Sequence, residues 1–166
     1  MKSIIIGILI IVAVALSGYT FFDQQLFGNI ENPKNNNGGV AAERKLDLSN
    51  QSLDKIPGYV FGMQELEELD ISNNKIGGAI QAEIRNLKNL KVLNASNNLM
   101  TGAPAEIGQL INLEVLDLSD NQLTGLPYEL GNLKNLKTFD ISGNNYSELD
   151  LNIISQKLPA GIKIIR

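Results

Sequence analysis

Apolar and polar residues alternate in short bursts along most of this chain, and the bursts recur at a fixed interval. The apolar pairs Leu46/Leu48, Leu69/Ile71, Leu93/Ala95, Leu116/Leu118 and Phe139/Ile141 stand 23, 24, 23 and 23 residues apart, and one more step of 23 falls on Ile162/Ile164. The two members of a pair are separated by one polar residue, the spacing that puts both side chains on one face of an extended strand. Other positions keep the same period. Leu66, Leu90, Leu113 and Leu136 precede each pair, Asn74, Asn98, Asn121 and Asn144 follow it, and Ile76, Met100, Leu123 and Tyr146 come next. A period in this range predicts a solenoid with one coil per repeat, in which parallel strands stack side by side and the leucines point inward. No single unit can bury its own leucines; stacking buries them. An Asn amide both donates and accepts, so each Asn can satisfy backbone groups where the chain turns inward, and a column of them would tie neighbouring coils. Gln51 heads that column in the first unit.

Written out, the recurring string is L-x-x-L-x-L-x-x-N-x-L. On this motif residues 43–166 resemble the leucine-rich repeat family. The second half of each unit, "LTGLPYELGNLKNL" (123–136) and "MTGAPAEIGQLINL" (100–113), resembles the plant-specific subtype, whose units run to about 24 residues. Only the Asn74 unit has 24 residues, and it carries Gln81 where others have Pro104 or Pro127. The shorter units resemble hybrids with the general bacterial type. The resemblance implies an α/β solenoid, a right-handed superhelix with a six-stranded parallel sheet on its concave face. Units this short leave room only for turns and 3-10 segments on the convex face. The ends depart from the motif. Glu43 replaces the leading leucine of the first unit, and "SELDLNIISQKLPAGIKIIR" loosens the spacing while keeping Leu149, Ile153, Leu158, Ile162 and Ile164 as inward positions. Lys163 and Arg166 discourage pairing at the terminal edge. The Cys-rich caps usual in eukaryotic extracellular members are missing, which points to a bacterial protein.

The amino end follows a different pattern. Ile4 to Leu16 is apolar apart from Gly7, with Lys2 before it and no further charge until Asp23. Two readings fit. A cleaved signal peptide would use Lys2 as its basic start and a small-residue site at Ala13-Val14-Ala15 or Ala15-Leu16-Ser17. A retained anchor would use Ser3 to Phe22, about the 20 residues a bilayer needs, with Tyr19, Phe21 and Phe22 at the outer interface. Either way the repeats lie outside the cytoplasm, as a single-pass membrane protein or as a secreted one. The expected organisation is therefore 1–22 signal peptide or anchor, 23–40 flexible linker containing "NIENPKNNNGGV", and 41–166 repeat domain.

Composition narrows the chemistry. The net charge of −4 argues against a nucleic-acid binder, which needs a basic face to neutralise phosphates. The chain has no Cys and no His, which excludes disulfides and thiolate or imidazole metal sites and removes the usual general base. The serines lack a relay partner, and the carboxylates fall in ladders rather than a cleft. No enzyme, metal or cofactor is expected.

Function then sits on residues the scaffold does not need. The outermost column on the strand side is Arg44, Glu67, Lys91, Glu114 and Lys137, whose alternating signs predict a self-paired ladder. The next is Lys45, Glu68, Val92, Val115 and Thr138, then Asp47, Asp70, Asn94, Asp117 and Asp140, then Ser49, Ser72, Ser96, Ser119 and Ser142. The Asp and Ser columns match the family's usual strand. Val92 and Val115 form an apolar spot on a polar face. The candidate partner-binding residues are Glu68, Val92, Val115 and Thr138, with Asp70, Asn94, Asp117 and Asp140 beside them. Six short strands offer a face on the order of 400 Å2, about half of one partner's share of a standard interface. That suits a protein contact of modest size, a short peptide or a glycan. The expected function is protein–protein recognition by an exported, membrane-tethered domain; the alternative is an envelope or adhesion component that self-associates.

Overall fold

The computed structural model describes residues 44–166; the expected anchor at 1–22, the linker at 23–40 and Glu43 lie outside the described residues. In chain order the elements are β1 (Lys45–Asp47), the 3-10 turn η1 (Gly58–Gly62), β2 (Glu68–Asp70), β3 (Gly77–Gly78), η2 (Ala82–Asn86), β4 (Val92–Asn94), β5 (Leu99–Met100), η3 (Ala105–Gln109), β6 (Val115–Asp117), η4 (Tyr128–Asn132), β7 (Thr138–Asp140), the helix α1 (Glu148–Ser155) and β8 (Lys163–Ile165). Strands β1, β2, β4, β6, β7 and β8 form one six-stranded parallel sheet in that order. The predicted solenoid is the observed one. Among the described residues no helix is long and apolar enough to cross a membrane.

Register follows from the period. Leu46, Leu69, Leu93, Leu116, Phe139 and Ile164 lie side by side across the sheet. Leu69, Leu93, Leu116 and Phe139 are buried; Leu46 and Ile164, on the two edges, are only partly covered. The opposite wall of each coil is a 3-10 turn opened by an extended Pro57, Gln81, Pro104 or Pro127, whose carbonyl accepts the N–H three residues on. These turns insert Val60, Ile84, Ile107 and Leu130 into the core. Each such side chain contributes roughly 1.5–3 kcal/mol by leaving water, so the stacked columns carry the fold.

The Asn column ties the coils as expected. The Asn98 side-chain Nδ2 donates to the carbonyls of Ala95 and Ser96 in its own coil and of Ile71 in the preceding one, at 3.2, 3.1 and 3.0 Å. Its Oδ1 accepts from the Ile76 N–H at 3.0 Å. Asn74, Asn121 and Asn144 repeat the arrangement, and Asn74, Asn98 and Asn121 are buried. Gln51 does not join the column. Its side chain is exposed, because no earlier coil among the described residues stands in reach of its amide. Immediately before each column member the backbone is left-handed, at Asn50, Asn73, Asn97, Asp120 and Gly143. Asn, Asp and Gly are the residues that tolerate this region, so the bend is built from a pair of positions rather than one.

Three features go beyond the predicted coil. The pairing continues past the bend into a second small sheet, β3 on β5, with a further bridge between Gly102 and Gly125. The extra residue of the 24-residue unit sits here: Ile76 and Ile80 are separated by Gly77, Gly78 and Ala79, and Gly78 takes φ +67°. A second amide ladder runs through the loops that lead into the strands, where Asn89, Asn112 and Asn135 donate to the carbonyls of Gln64, Lys88 and Ile111 at 2.9, 2.9 and 2.8 Å. The last coil replaces its 3-10 turn with the eight-residue helix α1, capped by the Ser147 hydroxyl on the Asp150 N–H. Helical spacing therefore decides its inward side. Leu151 and Ile154 are fully buried, and Leu149, expected inward from the strand period, is 67% exposed.

The alternating charge column pairs, with one gap. Glu67 bonds Arg44 at 2.6 Å and Lys91 at 2.9 Å, and Glu114 bonds Lys137 at 2.5 Å, while Lys91 and Glu114 form no ion pair. A carboxylate with two good cations on either side leaves the third pairing unmade. The Lys91 ammonium hydrogen-bonded to Glu67 is the main reason its carboxyl sits below the ordinary value of 4.5; partial desolvation opposes this, and the charges of Lys91 and Arg44 add to it.

Two outcomes follow. Asn98→Ala or Asn121→Ala removes the partner of buried backbone groups and should destabilise the domain by about 1–3 kcal/mol in chemical denaturation, whereas Gln51→Ala should change it by less than about 0.5 kcal/mol. For Glu67 the folded pKa is depressed, so its stabilisation is present above the unfolded value and is lost as pH falls through the folded one. Glu67→Gln should therefore flatten the acid-side loss of stability below pH 4.5. An acid limb as steep as the parent's, measured by melting at stepped pH, would refute that assignment.

Candidate functional site

Strand alternation sends the members of each inward pair into the core and the residues flanking the first member to the concave side. The pairing brings the candidates together as two rows. Glu68, Val92, Val115 and Thr138 are register partners across β2, β4, β6 and β7, and so are Asp70, Asn94, Asp117 and Asp140. All are half-buried. A shallow depression of about 590 Å3 opens on the amino-terminal part of this face, lined by Lys45, Leu46, Asp47, Glu68, Leu69, Asp70, Val92 and Asn94. Val115, Thr138, Asp117 and Asp140 continue the face beyond it. Lys45 and Asp47, absent from the sequence-based candidates, complete the depression, and Lys45 pairs with Glu68 at 2.7 Å. Their signal was the same register that picked out Glu68 and Asp70, one coil earlier.

The Asp row is partly structural. The backbone N–H two residues on donates to Oδ1 at Asp47, Asp70, Asp117 and Asp140, at 2.8, 2.8, 2.9 and 3.0 Å, closing a tight turn at each strand end. The Ser49 N–H is the main reason the Asp47 carboxyl sits below its ordinary value. At β6 and β7 the serine hydroxyl joins in, Ser119 Oγ to Asp117 at 2.6 Å and Ser142 Oγ to Asp140 at 2.7 Å. Asn94 makes the same turn with its amide oxygen, which accepts from Ser96 N and Oγ at 3.2 and 2.8 Å, while its Nδ2 donates to Asp70 Oδ2 at 3.0 Å. The Ser column, expected to face outward, is instead folded under: Ser72, Ser96 and Ser119 are buried at 5–8% exposure. The presented face is therefore two rows deep, a strip of mixed apolar, amide and carboxylate character. Among the described residues no cluster of three carboxylates is placed to hold a metal ion.

Known proteins share this architecture. Residues 44–100 match a family profile described as "Leucine rich repeat", and residues 88–127 and 111–155 match one described as "Leucine Rich repeats (2 copies)". Over 58 residues, 35% of this chain and 7% of the relative, the sequence is 39% identical to Receptor-like protein 18 of Arabidopsis thaliana. A solved LRR protein of Leptospira interrogans aligns at 39% identity and TM-score 0.63, covering 68% of this chain and 28% of that one. The LRR ectodomain of the receptor kinase SOBIR1 from Arabidopsis thaliana aligns at 35% identity and TM-score 0.55, covering 61% and 56%. The plant peptide hormone receptor RGFR1, solved in complex with RGF2, aligns at 37% identity and TM-score 0.56, covering 69% and 19%. The chain thus spans less than two thirds of each of these relatives. Repeat motif, stacked coils and profile matches agree: the chain belongs to the leucine-rich repeat family.

Proposed function

We propose that residues 41–166 are an exported, non-catalytic recognition domain that binds a protein or peptide on its concave face. The observation that carries this reading is the Val92/Val115 pair, side by side in register at the middle of the sheet and bordered by Glu68 and Thr138. The leucines fill the core, the Asn column closes the bends and the outer charges pair with one another, so the valines are apolar surface the coil does not require. Aligned relatives include receptor ectodomains, one of them bound to a peptide hormone, which supports a peptide-scale ligand and an extracellular setting. Residues 1–22 would deliver the domain, as a retained anchor or a cleaved signal peptide, and 23–40 would act as its tether. The competing reading is self-association through the sheet edges, favoured by the half-buried Leu46 on β1 and Ile164 on β8. Affinity capture from the native host, combined with sedimentation of the purified chain, separates them: a foreign protein on a monomeric chain supports recognition, and concentration-dependent assembly supports self-association.

Val92→Ser with Val115→Ser should leave the melting curve within about 1 kcal/mol of the parent and weaken partner affinity tenfold or more, because desolvated apolar centres carry most binding energy. A folded double variant that binds unchanged would move the site off this face. For delivery, the mature protein should fractionate with membranes through residues 3–22. Mass spectrometry of its amino terminus decides between the two routes: a start near Leu16 or Gly18 means a secreted domain.

A further inference from the structure

We propose that Asp117 and Asp140 form an arginine subsite of the concave face, which takes a guanidinium from the partner peptide while a neighbouring aliphatic residue of that peptide rests on Val92 and Val115. This rests on the concave-face reading above and names the chemistry of its ligand. The inference starts from a control written into the repeat. The turn at each strand end needs an oxygen acceptor, and Asn94 meets that need without charge, accepting from Ser96 N and Oγ. The negative charge of Asp117 and Asp140 is therefore not required by the turn.

It is also not neutralised. Glu68 is paired with Lys45, Glu67 with Arg44 and Lys91, and Glu114 with Lys137. Asp70 has its second oxygen on the Asn94 amide. Among the described residues neither Asp117 nor Asp140 makes an ion pair, though the two are direct register partners on adjacent strands. Lys163, on the next strand, is in register with Thr138, and the residue opposite Asp140 there is Ile165. Asp47 is likewise without an ion pair among the described residues, but its neighbour Asp70 is amide-bonded and it sits on the edge strand. Two like charges roughly 4.8 Å apart with no cation between them weaken a sheet, and the scaffold keeps them where an amide would serve.

Their geometry suits a planar cation. Each Asp has Oδ1 held by two donors of one serine, which fixes the plane of the carboxylate and leaves Oδ2 as the acceptor to be met. A guanidinium has donors on separate edges and can reach two such oxygens at once; an ammonium is a point charge that cannot match both as well. Val115 lies two residues before Asp117 on the same strand and face, about 7 Å away, the reach of adjacent side chains of a short peptide. Because both carboxylates are already ordered, little further ordering opposes binding.

The test uses the full chain in mild detergent at low salt, titrated with end-blocked tripeptides Leu-Arg-Leu, Leu-Lys-Leu and Leu-Gln-Leu. The arginine peptide should bind at least tenfold more tightly than the lysine peptide, and the glutamine peptide should bind more weakly than either. Asp117→Asn with Asp140→Asn should erase the arginine preference while preserving the melting curve, since Asn94 shows that the turn accepts an amide; single Asp140→Asn is the fallback if the double variant melts early. Val92→Ser with Val115→Ser should weaken all peptides together. Arginine binding unchanged in both Asp variants but lost in the valine variant overturns the subsite and leaves the face reading intact. Arginine binding unchanged in all variants overturns both. Equal binding of the lysine and arginine peptides, or no binding of any peptide, overturns the subsite.

Discussion

The buried Asn amide is the interaction on which the rest of this molecule depends. A coil of 23 residues must reverse direction inside the protein, and a reversal leaves backbone N–H and C=O groups that neither strand nor turn can satisfy. Asn74, Asn98, Asn121 and Asn144 each answer with donors to both their own coil and the one before, plus an acceptor for an N–H of the earlier coil. The same side chain therefore closes a bend and sets the spacing to its neighbour. Because every coil is indexed to the next by this amide, the leucines fall on leucines and the surface residues fall into straight rows. Without that indexing there would be no concave face to read, only a set of apolar turns.

Indexing also explains where substitutions in the repeat are tolerated. Gln81 stands where other units have proline, and its amide takes over by bonding both the N–H and the carbonyl of Ile56 in the coil before. Asp150 does a related task in the last coil, accepting from the Leu126 N–H at 3.3 Å and from the Tyr128 hydroxyl. In both cases a polar side chain replaces a coil-to-coil link that plain repetition would not supply. These substitutions lie next to the irregularities of the solenoid: one in the 24-residue unit, one where the 3-10 turn gives way to a helix.

The fold was legible because its determinants are periodic, and the departures were illegible because theirs are not. Leu69, Leu93 and Leu116 announce register by position alone, and the structure pairs them directly. Leu149 misleads because the strand period stops before it. In "SELDLNIIS" the residues that face inward are Leu151 and Ile154, three apart, which is helical spacing, and the Ser147 cap that starts the helix is a single residue. The left-handed Asn50, Asn73, Asn97 and Asp120 were visible as repeated polar residues, but their backbone role has no side-chain signature separate from the ladder Asn beside them. Of the site, the two rows were readable from register. What was not readable was which oxygens the turns consume, because that depends on hydroxyl rotamers: Ser119 turns to Asp117, whereas Asn73 donates to the Ser72 hydroxyl.

A repeat protein supplies its own comparisons, and this is the most informative property of a chain with so little chemistry. Five strand ends carry Asp, Asp, Asn, Asp and Asp in one column, doing one structural task. Where the task is identical, any residue property that varies is free to serve something else. Charge is that property here. The amide at Asn94 divides the column into an amino-terminal pair, whose inner member is bonded to it, and a carboxy-terminal pair that it does not reach. The concave face is thus polar in two different ways along its length. Its amino-terminal part, around the depression, has its charges satisfied within the sheet; its carboxy-terminal part presents carboxylates that are ordered and unmatched, beside the apolar pair. A ligand that crosses the strands meets these in sequence, so the face distinguishes one end of a bound chain from the other, which a uniform Asp column could not do.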